Sequence, residues 1–341
     1  MNKTSAISFF LILLLTVSCQ KENLPVEPIA SEPILVIPTG FPDIEFPEGN
    51  EFTEARWELG KKLFYDKVMS RNETVSCASC HLAAYAFSDT VAFSPGVDNA
   101  PGVRNAPSLA NVAYHPYYTR EGGVPTLEMQ VLVPIQEHNE FDFNIIEIAN
   151  RLKADPEYQK LSQEAYNREP DYYVIVRALA TFERSIISGN SRFDQYFYQG
   201  KQSALTEQEL AGMELFHSER TNCSSCHSGF NFSNYTFQNN GLYNEYADQG
   251  RFRLTNVVAD RALFKVPSLR NVAVTGPYMH DGSLSSLEEV ILHYNSGGKN
   301  HPNKNEMIRP LNLTETEQAA LVAYLRSLTD DEFINNKKFR F

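Results

Sequence analysis

From residue 51 onward, apolar positions recur at helical spacing and hardly anywhere in the alternation that marks a strand. Phe52 to Met69 places Phe52, Ala55, Leu59, Leu63 and Phe64 on one face, which predicts an amphipathic helix. Thr206 to His217 repeats the design: Thr206 and Glu209 have capping-box spacing, and Leu210, Met213, Leu215 and Phe216 follow. Ile145 to Lys153, Pro156 to Tyr166 and Tyr172 to Ile187 also read as helices, the last closing a first half before Gly189-Asn190. Thr314 to Leu328 opens with a second capping box, Thr314 and Glu317, and ends the fold.

The pattern is duplicated. Gly60-x-x-Leu63-Phe64 precedes Cys77 as Gly212-x-x-Leu215-Phe216 precedes Cys223. Pro107-Ser108-Leu109-Ala110-Asn111-Val112-Ala113 matches Pro267-Ser268-Leu269-Arg270-Asn271-Val272-Ala273, and Glu121-Gly122 matches Asp281-Gly282. Both matches share an offset of 160 residues, from 107 to 267 and from 121 to 281. A repeat this long predicts two copies of one fold, with residues 51–190 as the first domain and 191–341 as the second.

The first 50 residues break the pattern. Met1 to Ser18 has Lys3, then the apolar run Ile7 to Val17, then a small residue, which reads as a secretory signal too short to span a bilayer. Thr16-Val17-Ser18-Cys19 resembles a bacterial lipobox, so residues 1–18 are expected to be a lipoprotein signal and Cys19 the lipidated residue. The expected location is outside the cytoplasm, periplasmic or on the outer membrane, with membrane contact by the lipid anchor only. Residues 19–50 are rich in Pro and Glu and read as a flexible tether. The net charge of −12 removes the electrostatic drive for binding phosphate, which excludes nucleic acid as partner.

The remaining four of the five cysteines fall in Cys77-Ala78-Ser79-Cys80-His81 and Cys223-Ser224-Ser225-Cys226-His227. C-x-x-C-H is the attachment signature of a c-type haem: both thiols join the porphyrin and His takes one axial face of the iron. A redox dithiol would need a βαβ context that the pattern lacks, and a zinc knuckle has no reason to place His after the second Cys twice. The expected architecture is all-α: two cytochrome c-like domains, each holding one covalently bound haem.

These motifs, with Arg104-Asn105-Ala106-Pro107-Ser108-Leu109 and Pro277-Tyr278-Met279-His280-Asp281-Gly282, resemble the bacterial dihaem cytochrome c peroxidases and the MauG enzymes of the same superfamily. The resemblance runs from about Phe52 to Leu328. It implies a peroxidatic haem in the first domain and an electron-transfer haem in the second. It also implies that Glu140 is the catalytic carboxylate and Gln130 the amide that orients peroxide, and that one calcium ion is held by Asn105, Thr275 and Pro277. Hydrogen peroxide is the implied substrate and a small cytochrome c or copper protein the implied electron donor, with a homodimer left open. Two alternatives remain: MauG-like oxidation of a protein partner, and a dihaem electron carrier without turnover.

Three positions depart from the family's pattern. Val97, in Ser94-Pro95-Gly96-Val97-Asp98, stands where activation-dependent peroxidases carry a second His, and His115 is the nearest alternative. This predicts a first haem open on its distal side. Tyr294 stands at the axial Met position of the second haem, as in MauG-type enzymes, with Met279 and His293 as rival ligands. Arg120 stands where the family has a tryptophan between the haems; the chain's one tryptophan, Trp57, reads as core. Tyr117 and Tyr118 are the remaining aromatic candidates for an inter-haem route.

Overall fold

The helices end where local side chains satisfy their free backbone groups. In the computed structural model, which describes residues 33–341, α1 (Glu54–Tyr65) is capped by Thr53, whose hydroxyl accepts from Arg56 N. Then come α2 (Leu127–Gln130), α3 (Ile145–Ala154), α4 (Pro156–Tyr166) and α5 (Tyr172–Arg184). The second half contributes α6 (Glu207–His217), α7 (Leu287–Ser296) and α8 (Glu315–Ser327). Both predicted capping boxes are present, Thr206 with Glu209 and Thr314 with Glu317. Regular β-structure among the described residues amounts to two-residue strands, Phe237–Gln238 antiparallel to Phe264–Lys265. Short helices, among them Leu132–Gln136, Arg192–Phe197 and Asp331–Asn335, and long ordered loops supply the rest.

The duplication is visible in the packing. In the first half α1 crosses α5, and in the second α6 crosses α8, each pair meeting at the repeated glycine. A Cβ built on Gly60 would lie 2.0 Å from the Ala178 carbonyl oxygen, and one on Gly212 would lie 2.0 Å from that of Ala320. Only a missing side chain lets the backbones approach this closely. The partners that follow, Leu63 with Phe64 and Leu215 with Phe216, pack into separate cores.

Each terminal segment leaves its expected place. Residues 34–50, read from composition as part of the tether, have no helix or strand, yet they dock on the body. The Phe41 ring packs on Phe230 at 4.7 Å, and Asn50 is fully buried among Arg177 O, Glu128, Tyr166 and Thr181. Phe333 and Phe339, placed by the sequence with the second domain, insert instead into the first core, with rings 6.2 and 5.9 Å from Phe87. The two halves, with both strapping segments, form a single compact unit from Ile34 to Phe341. The predicted signal and Cys19, the expected lipidation site, lie outside the described residues, and no described helix is long and apolar enough to cross a membrane.

Gly60→Ala tests the helix crossing. Alanine is the better helix former by about 1 kcal/mol, but forcing a methyl against the Ala178 carbonyl costs about 1–3 kcal/mol or more. The urea midpoint of the haem-loaded protein is therefore expected to fall, whereas a rise would show that the helices separate without cost.

Candidate haem and peroxide sites

Each C-x-x-C-H segment folds as one tight turn. His81 N donates to Cys77 O at 3.0 Å and His227 N to Cys223 O at 2.9 Å, bringing each imidazole back over its cysteines. His81 Nδ1 lies 2.7 Å from Phe87 O, and His227 Nδ1 lies 3.1 Å from Phe232 O. A carbonyl can only accept, so Nδ1 carries the proton and Nε2 is left as the ligand atom. Phe87 and Phe232 reach this geometry in the left-handed region, with φ of 59° and 49°. That conformation is costly for a bulky residue, and it recurs at the same functional point in both halves. Burial pushes both imidazoles down from their ordinary value, which keeps them neutral and able to ligate.

All four motif thiols are free, and burial pushes them up, Cys80 to about 11. Reactive or zinc-binding cysteines sit in electropositive settings that lower the thiol pKa, and these do not. Beside the second motif opens a cavity of about 390 Å³ lined by Cys223, Cys226, His227 and Leu269, reaching Gln130 and Glu183 of the first half. On it, Gln130 Oε1 and His115 Nε2 are buried without a hydrogen-bond partner. Such atoms cost free energy unless a bound polar group meets them. Two c-type haems fit this donor set: paired thiols and neutral imidazoles with free Nε2 at both motifs, and beside the second a largely apolar cavity with few polar atoms.

At the first site the loop carrying Val97 is locked to the turn carrying Glu140. Val97 N donates to Glu140 O at 2.8 Å, and Gly96 makes the approach feasible. A Cβ there would meet Asn139 O at 2.0 Å and Glu140 O at 2.7 Å. The Val97 side chain is buried in the first core and offers no ligand. Glu140 is an exposed residue at the surface edge of this turn, while the protein packed around its carboxyl, and then the nearby Glu137, push that group up to about 7. Gln130 ends α2, whose Glu128 pairs with Arg184 through two contacts of 2.7 and 2.9 Å.

Glu183 is a carboxylate that the pattern did not single out. Buried on the cavity wall without a hydrogen bond, it is pushed up to about 8 by burial. It adjoins core Phe182 on α5, where a charge in sequence reads as the solvent edge, so only the structure reveals it.

At the second site Asn240 gathers the rival ligands. Its Nδ2 lies 3.2 Å from Met279 Sδ and 3.5 Å from Tyr294 OH, and both side chains line the cavity with His227. Burial pushes the Tyr294 phenol up to about 12. His293, one residue around the helix, is turned away: its Nε2 donates to Asn240 O at 3.0 Å.

Trp57 lies in the core of the first half and donates to Ser185 Oγ at 2.7 Å, away from the junction between the halves. At that junction Tyr117 stacks on Phe237 at 5.2 Å, and His115 lies 5.0 Å from Tyr235. Asn105, Thr275 and Pro277 line the same cavity, as expected of shared ligands, but the Asn105 oxygens are already engaged. Arg120 donates to Asn105 O at 2.7 Å and to Asn105 Oδ1 at 3.2 Å. Burial, then the Arg104 charge, pushes the guanidinium down to about 10, so it stays charged at neutral pH. A divalent ion on the same amide oxygen, about 4 Å away, would meet a repulsion on the order of 8 kcal/mol at an effective dielectric of about 20. The three residues therefore do not fit a calcium ion.

Comparison with known proteins agrees with this arrangement. Residues 54–203 match the di-haem cytochrome c peroxidase family, and residues 209–329 match cytochrome c. The methylamine utilization protein MauG of Methylorubrum extorquens is 35% identical over 288 residues, covering 84% of this chain and 81% of that protein. The cytochrome c551 peroxidase of Nitrosomonas europaea is 31% identical, covering 81% and 80%. Among solved structures, a MauG-like protein associated with microbial copper homeostasis superposes with a TM-score of 0.85 at 34% identity. It covers 89% of this chain and 97% of that one. The diheme peroxidase BthA of Burkholderia thailandensis, at 21% identity and a TM-score of 0.71, shares the fold and covers 83% and 88%.

Proposed function

The chain belongs to the di-haem cytochrome c peroxidase family, and from that premise we propose that it reduces hydrogen peroxide to two waters. Two electrons would come singly from a small cytochrome c or copper protein. Two haems held by Cys77, Cys80 and His81, and by Cys223, Cys226 and His227, supply the chemistry: the first as the centre of peroxide reduction, the second as the way in for electrons. The observation that carries this reading is Glu140, held near neutral pKa and clamped by Val97 N across Gly96, with no competing histidine in that loop.

Peroxide reduction needs a proton removed from one oxygen and delivered to the other, so that the second leaves as water. A carboxyl that titrates near neutrality can do both. Gln130, its Oε1 buried and unpartnered, would accept from a peroxide O–H while its amide N–H₂ orients the other oxygen. Glu183 would add a second buried carboxyl on the cavity wall. The N-terminal pattern supports export and a diacylglyceryl anchor on Cys19.

A second reading, oxidation of a protein partner, is favoured by Tyr294 and by the similarity to MauG. Arg120 in the inter-haem tryptophan position counts against it.

A steady-state peroxidase assay without pre-reduction, over a panel of small redox proteins, is expected to show immediate turnover. Glu140→Gln should lower kcat at least about a hundredfold, on the order of 2.7 kcal/mol. As the base, Glu140 must be ionised, so kcat/KM of the wild type should rise as pH climbs through about 7. Absence of peroxide consumption with every donor, or a pH profile unchanged by the substitution, would overturn the reading. For the second site, Tyr294→Phe is expected to remove the phenolate-to-ferric absorption and raise the lower haem potential, while Met279→Leu leaves both in place. The reverse pattern would make Met279 the ligand. The intact mass of the mature protein should include the acyl groups on Cys19, and an unmodified thiol there would remove the anchor.

A further inference from the structure

Arg120 is the buried charge that the peroxidase mechanism does not use. Its Nε and Nη2 both point at Asn105 O, at 3.2 and 2.7 Å, and Nη2 also reaches Asn105 Oδ1 at 3.2 Å. The remaining groups of Asn105 bind elsewhere: its N donates to His280 O at 2.9 Å and its Nδ2 to Val91 O at 3.3 Å. One asparagine thus joins the loop at residue 91, the loop at residue 280 and the guanidinium, bridging the two halves. Arg120 O in turn accepts from Lys265 N at 2.6 Å.

Among the chain's own side chains the charges at this junction balance. Arg104 pairs with Asp248 at 2.6 and 2.9 Å and with Glu121, and Asp281 accepts from Tyr243 OH at 2.7 Å. Arg104, Arg120 and Lys265 therefore face Glu121, Asp248 and Asp281, and Arg251, which donates to Glu121 O at 2.8 Å, pairs with Asp260 at 3.9 Å, four cations to four carboxylates. An added divalent ion would leave the cluster two charges in excess in a buried setting, where unbalanced charge is costly.

We infer that Arg120 is itself the cation of this junction, its guanidinium taking the place of calcium on the oxygens of Asn105, so that the halves are held together without a metal ion. A guanidinium suits this role because it cannot be lost to a chelator, and its planar fork spans two oxygens of one residue, as a point charge would not. Neither point depends on which substrate the haems act upon.

The test uses the two-haem protein. Calcium content is measured by elemental analysis after dialysis against EGTA and after dialysis against millimolar calcium, and thermal melts are followed at the haem absorption band under both conditions. The wild type is expected to hold well below one calcium per chain and to melt at one temperature throughout. Arg120→Gln, which removes the charge and frees the Asn105 oxygens, should melt at least about 4 °C lower, with calcium restoring part of the loss. Arg120→Lys, which keeps the charge, should lose less. One tightly held calcium per wild-type chain, with a lower melting temperature after EGTA, would overturn the inference even if no variant folds. So would an Arg120→Gln protein that melts with the wild type, or one that is destabilised and indifferent to calcium.

Discussion

The structure depends on two buried asparagines that hold the ends of helices against the loops beneath the haem histidines. Asn111 and Asn271 both adopt the left-handed conformation, with φ of 60° and 58°. Asn111 exchanges bonds of 2.8 Å with Ser188 N and O, and Asn271 accepts from Asp330 N at 2.8 Å. They converge on Ser188, whose hydroxyl accepts from Asn271 and donates to Asp330. Every group in this latch is buried, and each left unpaired would cost about 1–3 kcal/mol. Because each asparagine closes a Pro-Ser-Leu-x-Asn loop, the same bonds fix the loops that adjoin both haem motifs.

On that symmetric frame the two sites diverge by a few residues. Both histidines are held through Nδ1 by a phenylalanine carbonyl in a strained conformation, which leaves a neutral Nε2 free. In the first half Gly96 admits the Glu140 turn and Val97 occupies the core. In the second, Asn240 draws Met279 and Tyr294 to one place. A shared scaffold thus carries a site suited to small-molecule chemistry and one suited to holding a second ligand.

The junction between the sites is electrostatic. Salt bridges at the exposed surface contribute little, but buried pairs must balance closely because charge is poorly solvated there. Arg104 meets this condition with a carboxylate from each half, Glu121 and Asp248, while Arg120 rests on the oxygens of Asn105, and the docked segments at residues 34–50 and 331–341 close the unit across the same divide.

Local order was legible in the sequence. The two haem motifs, the capping boxes at Thr206 and Thr314, the repeated glycine before each Leu-Phe pair and the core role of Trp57 all depend on residues a few positions apart, where spacing determines geometry. What spacing cannot encode is which distant group meets a side chain. Phe333 and Phe339 read as the end of the second half and complete the first core, because an aromatic ring is as stable in either apolar pocket until the chain path is known. Glu183 drew no reading from its spacing and is a buried acid. Arg120 reads as a missing tryptophan and proves to be the partner of Asn105, since a guanidinium's role is set by the oxygens it reaches. The sequence by itself determined the helices, the duplication and the haem attachment. Only the tertiary structure decided which charges balance, which ligands converge and which segments cross, because burial and long-range contact set the free energy of those choices.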